Sequence, residues 1–279
     1  MPLKLFYITN RPDIASIAEN AGVDRIFVDM EYIGKAKRQG GMDTVQSHHT
    51  VQDVKNIRQC LTKAELQVRC NPVHDAASGY CSTEEEIDDI VAAGADVIML
   101  PFFKTADEVR RFLDAVGGRC RTILLLETPE AAERIDAILG LKGVDEMFIG
   151  LNDLSLGYGQ RFMFQLLADG TVERLALKIR QKGIPFGFGG IAAIGTGTLP
   201  AEAILKEHYR LGSSMVILSR SFCNCTKITD LDIIREKFTT GIRTLRSFEA
   251  EIAIHSEYFY RNITQIRDSV NQILAGIAK

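Results

Sequence analysis

Eight short apolar segments recur along the 279-residue chain, and they restrict its fold more than any other feature. Their starts lie 22 to 40 residues apart, which is enough for a strand, a crossover helix and two loops. Each segment is almost continuously hydrophobic, as is typical of parallel strands buried on both faces. They begin at Leu3, Arg25, Glu65, Asp96, Arg121, Asp145, Ile184 and Ser214. Eight such units predict an α/β protein with a (β/α)8 TIM barrel, and an open doubly wound sheet is the alternative.

The segments between these strands carry helix start signals. Thr128 places a capping hydroxyl before Pro129 at the first helical position, and Thr50 with Asp53 resembles a capping box. After Leu218 the pattern changes, because apolar residues recur at helical spacing up to Ile273. We therefore predict a barrel domain over residues 1–225 and extra C-terminal helices over 226–279. These helices either seal the outside of the barrel or form a contact in a homo-oligomer.

Composition excludes several functions. A net charge of −3 and a pI near 6.0 argue against nucleic-acid binding, and no apolar stretch approaches the length of a membrane span. The first residues lack a signal-peptide core, so we expect a cytoplasmic protein. The six cysteines show neither a CxxC pair nor the density of a disulfide scaffold, and reduced thiols are expected. Cys223 and Cys225 could ligate a metal, but the chain contains no partner pair with zinc spacing.

Charged side chains stand at the carboxyl ends of several predicted strands, where barrel enzymes build their active sites. The second strand ends in Asp29-Met30-Glu31, the third contains Arg69, and the fifth ends in Glu127. Asp153 follows the sixth strand. Carboxylates from neighbouring strand ends are suitable ligands for Mg²⁺, which commonly takes one or two of them from the protein. Alternatively, Glu127 caps the next helix and Asp153 belongs to an Asn-Asp turn.

Residues 124–159, LLLETPEAAERIDAILGLKGVDEMFIGLNDLSLGYG, resemble the HpcH/HpaI aldolase and citrate lyase beta-subunit family. The similarity lies in the strand-end glutamate, the Thr-led helix, the Asp-Xaa-Xaa-Phe-Ile-Gly strand and the Asp-Leu-Ser turn. The separation of 26 residues between Glu127 and Asp153 is also typical of the family's metal pair. The acidic motif of the second strand and Val68-Arg69 fit the same order. The resemblance spans roughly residues 24 to 222.

This resemblance implies that Glu127 and Asp153 bind Mg²⁺ or Mn²⁺, which chelates the carboxylate and keto oxygens of a pyruvyl group. Arg69 would hold the keto oxygen, since a dication and a guanidinium stabilise the enolate left by carbon–carbon cleavage. Glu31 would orient Arg69, or form an internal ion pair with it. The backbone N–H groups of Asn152 and Asp153 would bind the substrate carboxylate.

The chain also departs from the family pattern. Tyr32 stands where the aldolase branch usually has a histidine, which leaves the proton-transferring group open. Leu125 replaces an expected glutamine and is closer to the citrate lyase branch, and Leu151 replaces a frequent proline. His49, or His48 beside it, could supply a base from the loop above the barrel mouth.

The loop from Gly34 to His49 contains Lys35, Lys37 and Arg38, which are either solvated or part of a lid over an anionic substrate. The glycine-rich stretch GFGGIAAIGTG, which we place after the seventh strand, invites a phosphate-binding interpretation but matches no complete nucleotide fingerprint, and a tight strand-to-helix loop is favoured. The candidate catalytic residues are Arg69, His49 and Tyr32, and the substrate-binding candidates are Glu31, Asn152, Asp153, Lys35 and Arg38.

Three functions remain open from the sequence. The first is a metal-dependent aldolase that joins or splits a 2-oxo acid such as pyruvate and an aldehyde. The second is a lyase of malyl- or citryl-CoA thioesters, favoured by Leu125 and by the chain length. The third is a protein that binds pyruvate or phosphoenolpyruvate but lacks the catalytic base, a hypothesis that rests on Tyr32.

Overall fold

The computed structural model describes residues 1–35, 49–255 and 257–277. Eight parallel strands form a closed barrel in chain order, with β1 paired to β8. The strands are β1 (Lys4–Ile8), β2 (Arg25–Asp29), β3 (Glu65–Arg69), β4 (Val97–Leu100), β5 (Arg121–Leu126), β6 (Glu146–Ile149), β7 (Phe186–Ile191) and β8 (Met215–Leu218). Each lies within an apolar segment identified in the sequence, so the prediction of a (β/α)8 barrel is confirmed and the open sheet is excluded.

Helices surround the barrel and connect successive strands. They are α1 (Pro12–Ala21), α2 (Val51–Cys60), α3 (Thr83–Ala92), α4 (Ala106–Val116), α5 (Pro129–Glu133), α6 (Ile135–Ile138), α7 (Leu151–Gly157), α8 (Gln165–Ala168), α9 (Thr171–Gln181), α10 (Ala201–Leu211), α11 (Leu231–Ile254) and α12 (Tyr258–Ile277). The expected caps are present, because Thr50 and Asp53 form a capping box and the Thr128 hydroxyl accepts a hydrogen bond from Ala131 N–H. Helix α5 follows β5 closely, from Leu126 to Pro129, whereas Val51 at the start of α2 lies 22 residues beyond Asp29 at the end of β2.

The barrel interior is layered because every second strand residue points inward. In β2 the inward positions are Arg25, Phe27 and Asp29, from the amino end to the carboxyl end of the strand. Phe27 belongs to the buried apolar layer in the middle of the barrel, together with Phe6 and Phe148. This alternation carries Asp29 to the mouth of the barrel at the carboxyl end.

The amino end of the barrel is closed by a buried ion-pair network around Arg25. Its guanidinium is fully buried and donates to Glu146 at 2.7 and 3.0 Å and to Glu65 at 3.0 and 2.7 Å. It also lies 4.5 Å from the centre of the Phe6 ring. Since these groups fill the amino end, a ligand reaches the barrel interior from the carboxyl end.

The glycine-rich stretch begins inside β7 and serves packing. A Cβ at Gly187 would lie 2.3 Å from the Met215 carbonyl oxygen and 2.8 Å from a ring carbon of Phe148. Any side chain at this position would therefore separate β7 from β8. The first glycine of the stretch is explained by this close approach of backbone, in agreement with a structural rather than a phosphate-binding role.

The C-terminal helices form part of the outer ring of the barrel. Helix α11 packs against α1 and buries Ile234, Phe238, Ile242 and Leu245, and α12 packs against α8 and α10. Most of the apolar stripe that the sequence shows after residue 230 is thus covered within the chain. Among the described residues, no helix combines the length and the apolar character that a membrane crossing requires.

Candidate active site

A buried ion pair joins β2 and β3 at the mouth of the barrel. Asp29 and Arg69 are partners in the strand register, and the guanidinium donates from Nε to Oδ1 at 2.8 Å and from Nη2 to Oδ2 at 2.7 Å. This two-point contact fixes the plane of the guanidinium. The sequence singled out Glu31 as the partner of Arg69, whereas the stronger contact is with Asp29 and the Glu31 carboxylate lies 3.4 Å from Nη1.

Lys35 completes this cluster from the start of the loop after β2. Its ammonium lies 2.8 Å from the Asp29 carboxylate and 3.5 Å from that of Glu31, and the residue is buried. The sequence left Lys35 either solvated or on a lid that closes over an anionic substrate. In the structure its charge instead balances two strand-end carboxylates, because burying these acids without a cation would be costly.

The electrostatics of the pair keep both partners charged. Burial alone would raise the pKa of Asp29, but the charges and hydrogen bonds of Arg69 and Lys35 outweigh it and hold that pKa well below its usual range. Burial would lower the pKa of Arg69, whereas Asp29, Glu31 and Glu127 raise it. Arg69 therefore remains a cation whose field extends from the β2 acids to the β5 glutamate.

A second polar layer supports the segment that follows β2. The Asn71 side-chain oxygen accepts hydrogen bonds from the N–H groups of Tyr32 and Ile33, both at 2.9 Å. Asn71 in turn donates to Glu86 at 2.8 Å. These two residues were not singled out in the sequence, although Asn71 is the second residue after the arginine of β3. They fix the backbone of Glu31-Tyr32 relative to Arg69.

Tyr32 itself points away from this arrangement. Its side chain is 46% exposed, and burial raises its pKa with smaller contributions from Glu86, Cys81 and Tyr80. Tyr80 and Cys81 belong to the segment between β3 and α3, and Glu86 lies in the first turns of α3. The structure therefore provides no contact that joins the Tyr32 hydroxyl to Arg69 among the described residues, and its role in proton transfer stays a prediction.

His49 lies against the end of β2. Its Nδ1 accepts a hydrogen bond from the backbone N–H of Asp29 at 3.0 Å. With Nδ1 accepting this hydrogen bond, the proton of the neutral ring lies on Nε2, and the ring can take up a second proton only after its contact with Asp29 N–H is broken. The role of His49 as a base therefore stays a prediction and requires the ring to move away from the end of β2. Arg38, together with Lys37 and His48, lies outside the described residues.

Glu127 stands at the end of β5 and is 5% exposed. Its Oε1 accepts a hydrogen bond from Phe102 N–H at 3.1 Å, and Phe102 has the positive φ of 50° that few residues other than glycine adopt. A Cβ at Gly150 would lie 2.8 Å from both Cβ and Oε2 of Glu127. The strand-end glycine therefore lets the β6 backbone approach the carboxylate closely.

Asp153 lies three residues beyond Gly150, in the first turn of α7, and is 7% exposed. The Asn152 amide donates to its carboxylate at 3.3 Å. The backbone N–H groups of Asn152 and Asp153 lie in the first turn of α7, where a helix offers no carbonyl oxygen of its own as acceptor. Because β5 and β6 are adjacent, the structure brings Glu127 and the start of α7 to the same side of the mouth.

This donor set fits a divalent cation that takes few ligands from the protein. The candidate site contains four acids and two cations, so its formal charge is −2. The acids are Asp29, Glu31, Glu127 and Asp153, and the cations are Arg69 and Lys35. A dication would neutralise this charge. Over residues 1–35, 49–255 and 257–277, no cluster of three or more histidine, cysteine or acidic side chains is arranged to hold an ion. Two carboxylates with remaining positions for water and substrate are what Mg²⁺ commonly uses, whereas structural zinc needs more ligands.

Fold and site together define a (β/α)8-barrel protein whose mouth carries a fixed arginine and paired acids. Residues 3–184 match the family model of HpcH/HpaI aldolase/citrate lyase. Since this match covers more than half of the chain, the protein belongs to the HpcH/HpaI aldolase/citrate lyase family, as the sequence motifs indicated. The family assignment supports an aldolase or lyase.

Individual relatives agree with this assignment. The 2-keto-3-deoxy-L-rhamnonate aldolase of Shigella dysenteriae serotype 1 is 25% identical over 211 residues, which are 64% of this chain and 71% of the relative. The HpcH/HpaI aldolase of Desulfitobacterium hafniense DCB-2 shares the fold with a TM-score of 0.58 and 18% identity, over 88% of this chain and 93% of that one. A family protein of Burkholderia cenocepacia J2315 gives a TM-score of 0.60 and 17% identity, over 84% and 95%.

Proposed function

We propose that this protein is a divalent-metal-dependent lyase that cleaves or forms a carbon–carbon bond next to a 2-oxo acid through a pyruvate-type enolate. The observation that carries the proposal is the position of Arg69. Its guanidinium is fixed by Asp29 at the mouth, and Glu127 lies near enough to raise its pKa. A preorganised cation beside the strand-end acids can stabilise negative charge that develops on a substrate oxygen.

Glu127 and Asp153 are the residues that would hold Mg²⁺ or Mn²⁺. When bound, the ion supplies Lewis-acid polarisation of the keto group and charge neutralisation. The hydrogen bond from Phe102 N–H holds one Glu127 oxygen in place, and Asn152 holds one Asp153 oxygen. Both carboxylates are thus oriented before any ligand arrives, which reduces the cost of arranging them during the reaction.

The chain's own groups would divide the remaining work. Arg69 donates to the keto oxygen, whose charge increases as the bond beyond C3 breaks. The first-turn amides of α7 bind the substrate carboxylate. Cleavage also requires that the hydroxyl group on C4 loses its proton and that C3 of the enolate gains one. His49, Glu31 and Tyr32 are candidate proton-transferring side chains near β2, and His49 can accept a proton once its Nδ1 leaves Asp29 N–H.

The substrate proposal is a 2-keto-3-deoxy acid, by similarity to the relative that is named for 2-keto-3-deoxy-L-rhamnonate. Incubation of purified protein with such acids and Mg²⁺ should release pyruvate, measured with a coupled dehydrogenase. Release of acetyl-CoA from malyl-CoA would favour the thioester lyase instead. Binding of pyruvate by calorimetry without turnover of any candidate would favour the binding protein.

We expect both His49→Asn and His49→Ala to slow deuterium exchange at C3 of pyruvate by about 10²- to 10⁴-fold, the usual cost of losing a proton-transferring group. Exchange measured by NMR isolates this step from aldehyde binding. The asparagine variant is the matched control, because its side-chain oxygen can still accept from Asp29 N–H while the titratable ring is lost.

The pair of variants separates two roles for His49. Wild-type exchange in His49→Asn with slow exchange in His49→Ala would show that the ring only positions Asp29. Wild-type rates in both would make His49 a bystander and leave Glu31, Tyr32 or a water molecule as the transferring group.

The proposal also includes a homo-oligomer with contacts after residue 230. Several apolar side chains of the two C-terminal helices are exposed. They include Ile233 at 45% and Ile254 at 78% in α11, and Tyr260 at 88% in α12. We expect light scattering at micromolar concentration to give the mass of an oligomer, which is at least twice the chain mass of 31.0 kDa. A combined Ile254→Lys and Tyr260→Lys variant should lower that mass. A monomeric wild-type protein would contradict the proposal.

A further inference from the structure

A pair of thiols that the candidate active site does not use lies in the segment after β8. The Sγ atoms of Cys223 and Cys225 are 3.8 Å apart. The Tyr7 hydroxyl, at the end of β1, lies 3.1 Å from the Cys225 Sγ and 3.0 Å from the Cys223 carbonyl oxygen, so its proton is shared between them. The Tyr7 ring is held edge-on against Phe238 of α11 at 4.8 Å. The pair is therefore enclosed by β1, the β8 segment and α11.

The two sulfurs differ in access. Cys223 is 2% exposed, whereas Cys225 is half-buried. A surface cavity of about 520 Å³, lined by Ser219, Arg220, Phe222, Cys223 and Lys237 among others, opens beside the pair. The residues that line this cavity include Cys223 but not Cys225, so a small oxidant reaches Cys225 through the exposed part of its own side chain, with the Cys223 sulfur at close range. Reactive cysteine pairs commonly have this arrangement of an accessible thiol and a second thiol that resolves it.

The surroundings favour Cys225 as the thiolate. The Cys223 thiol and the Tyr7 hydroxyl donate hydrogen bonds to its sulfur and Arg11 adds a positive charge, so the pKa of Cys225 lies below its ordinary value despite burial and the nearby Asp13. The interaction with Cys225, with burial, raises the pKa of Cys223, and Lys237 only partly opposes this. One sulfur is thus prepared to attack and the other stays protonated until it is needed.

The other four cysteines lack this combination. Burial raises the pKa of Cys60, Cys70 and Cys120. Cys81 is exposed, but partial burial and Glu86 raise its pKa as well. Since all six cysteines lie in the described part of the chain, the pair after β8 is distinguished from the rest by charge and by the neighbouring thiol.

We propose that Cys223 and Cys225 form a peroxide-reactive site that is converted to an intramolecular disulfide by hydrogen peroxide. The Cys225 thiolate attacks one oxygen of the peroxide, and the O–O bond breaks. The sulfur becomes a sulfenic acid, and the hydroxide that leaves takes up a proton to form water. The Cys223 sulfur then attacks the Cys225 sulfenic acid, loses its proton and displaces a second water. Two thiols lose two electrons and two protons, and one peroxide becomes two waters.

The sequence provides a convenient readout, because trypsin cleaves after Arg220 and Lys227 and releases Ser221–Lys227 with both cysteines. The full-length protein is treated with one equivalent of hydrogen peroxide, alkylated, digested and analysed by mass spectrometry. We expect this peptide to escape alkylation and to be about 2 Da lighter than its reduced, unalkylated form. Dithiothreitol before alkylation should restore two modified thiols.

Three variants test the assignment of roles. Cys223→Ser should leave an oxygen adduct on Cys225 that a dimedone probe captures, and Cys225→Ser should lower the rate of oxidation of the peptide to that of the other cysteines. Tyr7→Phe keeps the edge-on ring contact but loses the donor, so oxidation at pH 7 should slow by about fivefold, the effect of one hydrogen bond. Cys81→Ser is the matched control and should behave as the wild type.

The inference is overturned if Cys81 is oxidised before the pair, or if oxygen adducts accumulate on Cys225 in the wild type without the crosslinked peptide. If Tyr7→Phe is oxidised at the wild-type rate and its Cys225 is alkylated with the wild-type pH profile, the Tyr7 hydroxyl does not stabilise the Cys225 thiolate. The proposed activation of Cys225 would then be wrong. None of these outcomes depends on lyase activity, so the site is tested independently of the proposed function.

Discussion

Glu127→Gln is expected to lower the rate of carbon–carbon cleavage by at least about 10²- to 10³-fold while the fold is retained. The substitution removes one of the two charged oxygen ligands available for a divalent ion at the β5 and β6 ends. The glutamine oxygen can still accept the hydrogen bond from Phe102 N–H, which protects the strained turn at that residue. Pyruvate release and the melting temperature are the two measurements.

Glu130→Gln is the matched control, because Glu130 lies three residues further on, is paired with Lys104 at 3.0 Å and stands in the first turn of α5. It should retain wild-type activity. Asp153→Asn should behave as Glu127→Gln does, since it removes the second ligand. A Glu127→Gln protein that cleaves its substrate at the wild-type rate would contradict the proposed metal site.

Removal of the metal gives an independent test of the same site. Exhaustive chelation should abolish cleavage, and Mg²⁺ or Mn²⁺ should restore it in the wild type but not in Glu127→Gln. Elemental analysis of the protein before and after chelation identifies the ion. Full activity in a protein shown to be free of metal would require a different means of stabilising the enolate.

The sequence was sufficient to predict the barrel because its strands are continuous apolar segments at regular spacing. It also placed Arg69, Glu127 and Asp153 at the mouth of that barrel, because they stand at or just after strand ends, and their roles stay predictions. The alternation along β2 could have identified Asp29 as well. Arg25, Phe27 and Asp29 share one face of the strand, so the alternation directs Asp29 as well as Glu31 toward the mouth.

The contacts that distinguish Asp29, Lys35 and His49 could not be deduced in this way. They depend on side-chain rotamers and on how the chain after β2 returns to the barrel, which spacing does not determine. The sequence placed Lys35 and His49 on one loop, Lys35 as a candidate for substrate binding and His49 as a candidate base. The structure gives Lys35 a buried ion pair with Asp29 and gives His49 a hydrogen bond to the Asp29 backbone.

Arg69→Lys is expected to lower kcat by about 10²- to 10³-fold with a much smaller change in KM. A lysine preserves the positive charge, but a single ammonium cannot reproduce the two contacts that hold the guanidinium plane against Asp29 at 2.8 and 2.7 Å. The cation would then move relative to the substrate oxygen. Because the oxygen gains charge mainly in the transition state, the loss should appear in kcat.

Arg58→Lys is the matched control, since Arg58 contacts a single Asp96 oxygen at 2.8 Å and lies outside the mouth. It should change neither constant. Asp29→Asn provides the complementary test, because it leaves Arg69 in place but removes the charge that orients it, and a smaller fall in kcat is expected. If Arg69→Lys lowers the melting temperature while kcat stays at the wild-type value, the Asp29–Arg69 pair only joins β2 to β3. The stabilisation of the enolate would then have to come from the metal and the α7 amides alone.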